Sequence, residues 1–383
     1  MKKLHAMILT LCMLSSVVLS GCWNFKEVEH LRYPVSIGFD YRNKQFEIYL
    51  QLINFTVIAK VESGGSRQKQ EIVVVKGVGK SFDEAAFNIY SYAQQRFNWS
   101  HIRSVVIGKG ALRYGMNYFL DNLGRYSEYR HTWWVFTTER PIPEILLLFP
   151  AMNTPAIYSQ LGDPMTIYRQ SSYIQPLMMN RFETDYFSKS KTTLLPRLSH
   201  VSSMVYRTTE NRPILRRDGV CMLANRKFVG CLDVAHTSGL RWLNKHTVRT
   251  SLRLFKGKQP LADLIMEDPK PKISYRVKNG KAYFTIKVKV TGSISNINIS
   301  TSLKDMNKLA SQKIESEIRN TFKNGVKLKT DIYSLSDTIY RKDVQLWKKL
   351  QKDEQLPLKA DSLEKIEVDA KIVNSGEMEF IPS

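Results

Sequence analysis

The sequence predicts a mixed α+β and α/β protein of more than one domain, with helices packed on mixed sheets. Three observations carry this prediction. Strand-like and helix-like apolar patterns alternate through the first 200 residues. Near the C-terminus, a tight hairpin signal is followed by a long apolar stripe of helical period. A chain of 383 residues also exceeds what one hydrophobic core fills. The expected layout is a leader over residues 1–21, an N-terminal mixed α/β region over 22–200 holding one or two domains, and a C-terminal α+β domain over 201–383. In the last of these, an antiparallel sheet carries one long helix.

Val35-Ser36-Ile37-Gly38-Phe39 alternates as a half-buried strand. After a turn over residues 41–44, Phe46, Ile48, Leu50 and Leu52 share one face of a second strand. Residues 62–71 are polar with Gly and Ser and read as a surface loop, and 72–75 read as a short apolar strand. Ser81-Phe82-Asp83-Glu84 has the form of a capping box, the Ser81 hydroxyl accepting the Glu84 N–H while Glu84 reaches back. Phe82, Ala85, Ala86, Ile89, Ala93 and Phe97 recur behind it at helical spacing. A strand over 102–107, a helix over 111–123, a strand over 132–137 and a short helix over 143–149 follow. Such alternation implies some parallel pairing. Residues 151–200 have weak periodicity and support no assignment.

Residues 220–223 and 228–232 flank Asn225-Arg226-Lys227 as a hairpin. A three-residue loop centred on Arg226 sets Cys221 opposite Cys231 and permits a disulfide. A two-residue loop puts the pair out of register and leaves two thiols. Both alternatives stand at this point. Asn279-Gly280 is a two-residue hairpin turn. Pairing 278 with 281 sets Val277 opposite Ala282, Tyr275 opposite Phe284 and Ile273 opposite Ile286, all on one face, so turn and pattern agree on register. Met306, Ala310, Ile314, Ile318 and Phe322 step by four along a helix begun by Ser302 and stopping near Asn324-Gly325. Ile366, Val368, Ala370 and Ile372 alternate in a closing strand.

The formal charge is +22, concentrated in residues 201–260, where twelve basic residues face three acidic ones. Anionic lipid headgroups, wall polymers or an acidic partner suit that stretch, and a solvated basic face is the plain alternative. Nucleic acid does not suit a secreted chain. That the chain is secreted follows from its beginning. Lys2 and Lys3 precede an apolar run over residues 6–19, which ends in Leu19-Ser20-Gly21-Cys22. The run is too short for a spanning helix of roughly 20 residues, and the last four residues have the lipobox form of a bacterial lipoprotein. The resemblance implies a diacylglycerol thioether on Cys22, which becomes the first residue of a mature chain fastened outside the membrane.

Catalytic patterns are sparse. Gly79-Lys80-Ser81 ends like a phosphate loop, but Val74 stands where that motif needs Gly. Ser188-Lys189-Ser190-Lys191 fits S-x-x-K without the motifs that accompany it in penicillin-recognising enzymes. The seven His residues lack metal-ligand spacing. Trp133-Trp134 reads as strand packing. The reading is therefore non-enzymatic, with no catalytic, cofactor or metal residue, no cofactor and no legible small-molecule site.

Gly21-Cys22-Trp23-Asn24, Glu27 and Ser36-Ile37-Gly38-Phe39-Asp40 resemble the opening of the Ger(x)C spore germination lipoproteins. Gly79-Lys80-Ser81 with Glu84-Ala85, His101 with Val105-Val106-Ile107-Gly108, and Asp121, Arg125, Glu128 and Arg130 continue the likeness. Its most telling stretch is Asp218-Gly219-Val220-Cys221-Met222, Phe228-Val229-Gly230-Cys231-Leu232-Asp233 and Gly239-Leu240-Arg241-Trp242-Leu243-Asn244. Asp331-Ile332-Tyr333 and Trp347 close it. Asn24 stands where Asp is usual, and Cys221 and Cys231 replace an apolar and an aromatic residue. The resemblance implies the C subunit of a nutrient germinant receptor, on the outer face of the spore inner membrane beside A-type and B-type membrane subunits. It carries over Cys22 alone as a chemical site. Asp218, Gly219, Gly230, Asp233, Trp242 and Asn244 read as a structural hairpin and turn, with Asp233 accepting backbone N–H bonds and Trp242 buried. The runner-up is a substrate-binding lipoprotein of a membrane transporter, which needs two similar lobes about a cleft.

Overall fold

A computed structural model describes residues 3–5, 7, 31–53, 71–126, 130–148, 150, 154–203 and 213–374. Cys22 and nearly all of the predicted loop over 62–71 lie outside them. Among the described residues the chain forms two sheets, one of ten strands and one of four.

The large sheet starts from β1 (Leu31–Arg42) and β2 (Gln45–Ile53), joined at Asn43-Lys44, both with positive φ. β3 (Ile72–Gly79) pairs antiparallel with β2. Ser81 then caps α1 (Phe82–Tyr90), accepting the Glu84 N–H at 3.1 Å, while Glu84 accepts from Lys80 N–H at 2.6 Å. α1 ends before Ala93. Phe97 reaches the same core from β4 (Arg96–Phe97), paired parallel with the start of β1, so apolar spacing overran the helix. β5 (Ser104–Gly108) lies parallel to β1, as the strand–helix alternation implies.

The helix expected over 111–123 is two helices, α2 (Lys109–Tyr114) and α3 (Met116–Arg125), divided at Gly115. Glycine is the weakest helix former after proline, so the break falls there. β6 (Trp134–Thr138) pairs parallel with β5, and α4 (Ile142–Leu146) covers the opposite face of the sheet. The unassigned 151–200 region supplies α5 (Pro164–Gln170), β7 (Leu177–Met178), α6 (Met179–Phe187) and β8 (Thr192–Val201). β9 (Ile214–Ala224) and β10 (Lys227–Asp233) finish the sheet, in the order β10-β9-β8-β6-β5-β1-β2-β3. The large sheet thus continues past residue 200 through β9 and β10 to Asp233.

The short α7 (Leu240–Leu243) leads into β11 (Arg249–Lys256), β12 (Gln259–Lys278) and β13 (Lys281–Ile297). The Asn279-Gly280 hairpin holds the expected register, with 278 opposite 281, 275 opposite 284 and 273 opposite 286. α8 (Leu303–Lys327) buries Met306, Ala310, Ile314, Ile318 and Phe322, as the step of four predicts. It ends at Lys327, two residues past Asn324-Gly325. Gly325 is a packing position, where a Cβ would stand 2.8 Å from Ile332 Cγ2. After α9 (Leu335–Lys342) and α10 (Val344–Leu350), β14 (Leu363–Asn374) joins β13 parallel, not antiparallel. The reason is the crossover: the helices carry the chain from the end of β13 back to the end where β13 began, so β14 runs in the same direction. The C-terminal sheet is therefore mixed, three antiparallel strands with one parallel edge.

Candidate functional site at the joint of the two sheets

Asn225 and Arg226 both take positive φ and form a two-residue turn, with Ala224 opposite Lys227. That loop alone would misalign the cysteines. A β-bulge leaves Val229 unpaired, sets Gly230 opposite Met222 and returns Cys231 to face Cys221, and the two form a disulfide. Neither loop considered from sequence included the bulge. Gly219 faces Asp233, and a Cβ on it would stand 2.2 Å from the Leu232 carbonyl oxygen. At Gly230 a Cβ would meet only the Leu328 side chain at 3.6 Å, so crowding does not explain that glycine.

Asp218 accepts from Arg197 Nε at 2.8 Å, and Arg197 also reaches Glu139 at 2.9 Å, which takes Lys109 at 2.7 Å. Lys109 holds Glu139 below the usual carboxylate range, with Arg197 adding to it. Asp233 closes the hairpin by accepting the His236 N–H at 3.0 Å and His236 Nδ1 at 2.7 Å. Partial burial pushes its carboxyl up, and the bonds from His236 outweigh that, leaving it lowered.

The turn after the hairpin meets α8. Gly239 N–H donates to Thr321 Oγ1 at 3.0 Å, and a Cβ there would stand 2.3 Å from Tyr333 Oη. Trp242 is fully buried, and its Nε1–H donates to Glu317 Oε2 at 2.8 Å. Arg241, 4 % exposed, donates to the same oxygen at 2.8 Å and to Thr250 Oγ1 at 2.9 Å, with its guanidinium 4.6 Å from the Tyr173 ring centre. Asn244 Nδ2–H donates to Tyr168 Oη at 2.8 Å, on a helix in the unassigned region. Sequence reasoning missed Arg241 and Glu317. A carboxylate next to Ile318 on the apolar stripe of α8 is the one mark Glu317 leaves in the sequence.

A second set of contacts joins β8 to the loop after α8. Thr192 N–H donates to Ser334 Oγ at 3.1 Å, and Ser190 Oγ to Asp337 at 2.8 Å. Asp331 Oδ2 accepts the Ser336 N–H at 2.7 Å, while Oδ1 is enclosed with no hydrogen-bond partner among the described residues. Burial pushes the Asp331 carboxyl up to about 6. The residues of the S-x-x-K match are absorbed here and nearby, Lys191 pairing with Asp185 at 2.6 Å.

At the other end of the sheet, two motifs noted in the sequence meet. Asp40 is buried, accepts the Ala111 N–H at 3.0 Å at the start of α2, and lies where a Cβ on Gly108 would be 2.3 Å from its Cγ. These contacts position elements and present no nucleophile beside a base. No group of three or more His, Cys, Asp or Glu that could hold a metal exists among the described residues, and no described helix is long and apolar enough to cross a membrane.

The basic stretch 201–260 does not make one surface. Arg217 is turned inward, donating to the Ile174 carbonyl at 3.1 Å, and burial lowers its guanidinium to about 10. Arg241 is held by Glu317. Arg216 and the Arg226-Lys227 turn lie at opposite ends of the β9–β10 hairpin.

Two family models cover nearly the whole chain: spore germination protein N-terminal domain over residues 24–200, and spore germination B3/GerAC-like, C-terminal over 218–376. Spore germination protein KC of Bacillus subtilis (strain 168) is 26% identical over 363 residues, 89% of this chain and 88% of that protein. Spore germination protein B3 of the same organism is 22% identical over 372 residues, 94% and 95% of the two chains. The crystal structure of the GerBC protein matches with a TM-score of 0.52 at 16% identity, covering 92% of this chain and 100% of that one, which shows a shared fold. The chain belongs to the Ger(x)C family of spore germination proteins.

Proposed function

We propose that this protein is a non-enzymatic, lipid-anchored subunit of a nutrient germinant receptor, required for the receptor to assemble and act in spore germination. Cys22 carries the lipid, and the folded body stands on the outer face of the spore inner membrane beside the A-type and B-type membrane subunits. The observation that carries this reading is the match of both halves to germination families. The site supports it, because its polar side chains make positioning contacts, among them Thr192 to Ser334 and Ser190 to Asp337 between the two parts of the chain. A body of that kind suits scaffolding. The transporter-lipoprotein alternative is disfavoured by the topology: a ten-stranded and a four-stranded sheet are not two similar lobes.

Removal of the gene tests this. Spores lacking the protein should fail to answer nutrient germinants while germinating normally by routes that bypass receptors. A normal nutrient response combined with a defect in uptake of one solute would favour the transporter reading instead.

A further inference from the structure

At the end of the large sheet where β1, β5 and β6 begin, the structure holds a cleft of about 620 Å³. His101, Arg103 and Arg130 line it, with Trp134 and Tyr158 as apolar wall and Asp163 as the one acidic residue among its lining residues. The volume lies within the range of small-ligand sites. Neither arginine has a carboxylate partner among the described residues. Their charge is felt nearby: burial lowers the His101 imidazole, and Arg103 and Arg130 lower it further. Arg103 is fixed at its root, its N–H donating to Val35 O and its carbonyl accepting from Trp134, both at 2.8 Å. Arg32 and Arg96 are exposed at the same end, where β1 pairs with β4.

The chain itself says what this end faces. Leu31 opens β1 nine residues after Cys22, and Tyr33 touches the His101 ring at 4.8 Å. Nine extended residues span at most about 30 Å. A lipid on Cys22 therefore confines this basic end near the bilayer, whereas the far ends of the same strands point away.

We propose that the cleft seats the phosphate of an anionic phospholipid headgroup, so that the large sheet stands with its His101–Arg103–Arg130 end against the membrane. The inference rests on the anchoring of Cys22 proposed above. The arginines supply charge-assisted donors to phosphate oxygens, and the apolar wall accepts the glycerol side of the headgroup.

The test uses the mature-length chain carrying Cys22→Ser, so that the anchor plays no part. Sedimentation with phosphatidylcholine vesicles, with and without phosphatidylglycerol, should show binding only when the anionic lipid is present. Each arginine close to an anionic surface strengthens binding about fivefold, so Arg103→Ala with Arg130→Ala should weaken it about twenty-five-fold. Loss of the same charge at Lys270 and Lys289, exposed on the small sheet, should leave it unchanged, and all variants should melt alike. Equal weakening by both pairs would reduce the effect to net charge and overturn the proposal. So would an absence of any preference for the anionic lipid, or inorganic phosphate occupying the cleft with no vesicle binding. Labelled-lipid incorporation at Cys22 is measured separately, so failure of the anchor and failure of the cleft are distinguishable.

Discussion

Glu317 Oε2 receives two donors, Trp242 Nε1 and Arg241 NH2, in an enclosed interface. Trp242→Ala removes a fully buried indole and should destabilise by about 3–5 kcal/mol. Trp242→Phe keeps much of the packing and loses one hydrogen bond, so about 1–2 kcal/mol is expected. Denaturant titration of both variants checks the ratio; equal effects would mean that the bond and not the ring dominates. Asp331 gives a pH signature. Its carboxyl lies near 6 in the fold against an ordinary 3.8, so the folded state binds the proton more tightly. The stability this contributes is complete below about 3.8 and lost as pH rises through about 6. Asp331→Asn should therefore gain on the order of 1–3 kcal/mol over the native chain at neutral pH, with the gain vanishing in mild acid. An unchanged difference across that window would place the proton elsewhere. Trp242 could be singled out from sequence because a large aromatic is a strong burial signal. Arg241 and Glu317 could not, because a charged residue reads as surface until its partner 76 positions away is known.

The β9–β10 hairpin shows the same division between local and long-range information. Turn residues and alternation place both strands, and the register that pairs Cys221 with Cys231 follows from a bulge that leaves no mark in composition. The disulfide closes a loop of ten residues in sequence separation, which corresponds to about 2–3 kcal/mol of chain entropy. Replacing both cysteines with serine should lower unfolding free energy by that amount in oxidising buffer and by nothing once reductant is added to the parent. Equal stability of parent and variant under oxidising conditions would mean the bridge contributes nothing. The long α8 and the Asn279-Gly280 hairpin were legible throughout because their patterns are strong and local. α1 was overextended because Phe97 enters the same core from a strand, and spacing alone does not separate the two routes.

At the scale of the molecule, the large sheet runs across the 200/201 division of the sequence, while the two family models meet between residues 200 and 218. The β9–β10 hairpin lies within the basic stretch 201–260 and carries the C-terminal motif residues Asp218 to Asp233, yet its backbone completes the large sheet. A chain ending at 200 leaves one edge of β8 unpaired along its length, while one ending at 237 carries the hairpin. The shorter piece should aggregate or remain unfolded and the longer should stay soluble, as judged by gel filtration; a soluble, cooperative fold from the shorter piece would mark 200/201 as an independent folding boundary. Parallel pairing of β14 with β13 was missed for a related reason, since strand direction depends on the whole crossover and not on the strand.

Spores carrying Cys22→Ala at the native locus ask whether the receptor subunit works only when held at the membrane by Cys22. The expected result is a chain that takes up no labelled lipid, is lost from the inner-membrane fraction, and leaves spores unresponsive to nutrients but normal by receptor-independent germination. A variant that germinates normally with nutrients, or that still incorporates labelled lipid, would contradict it.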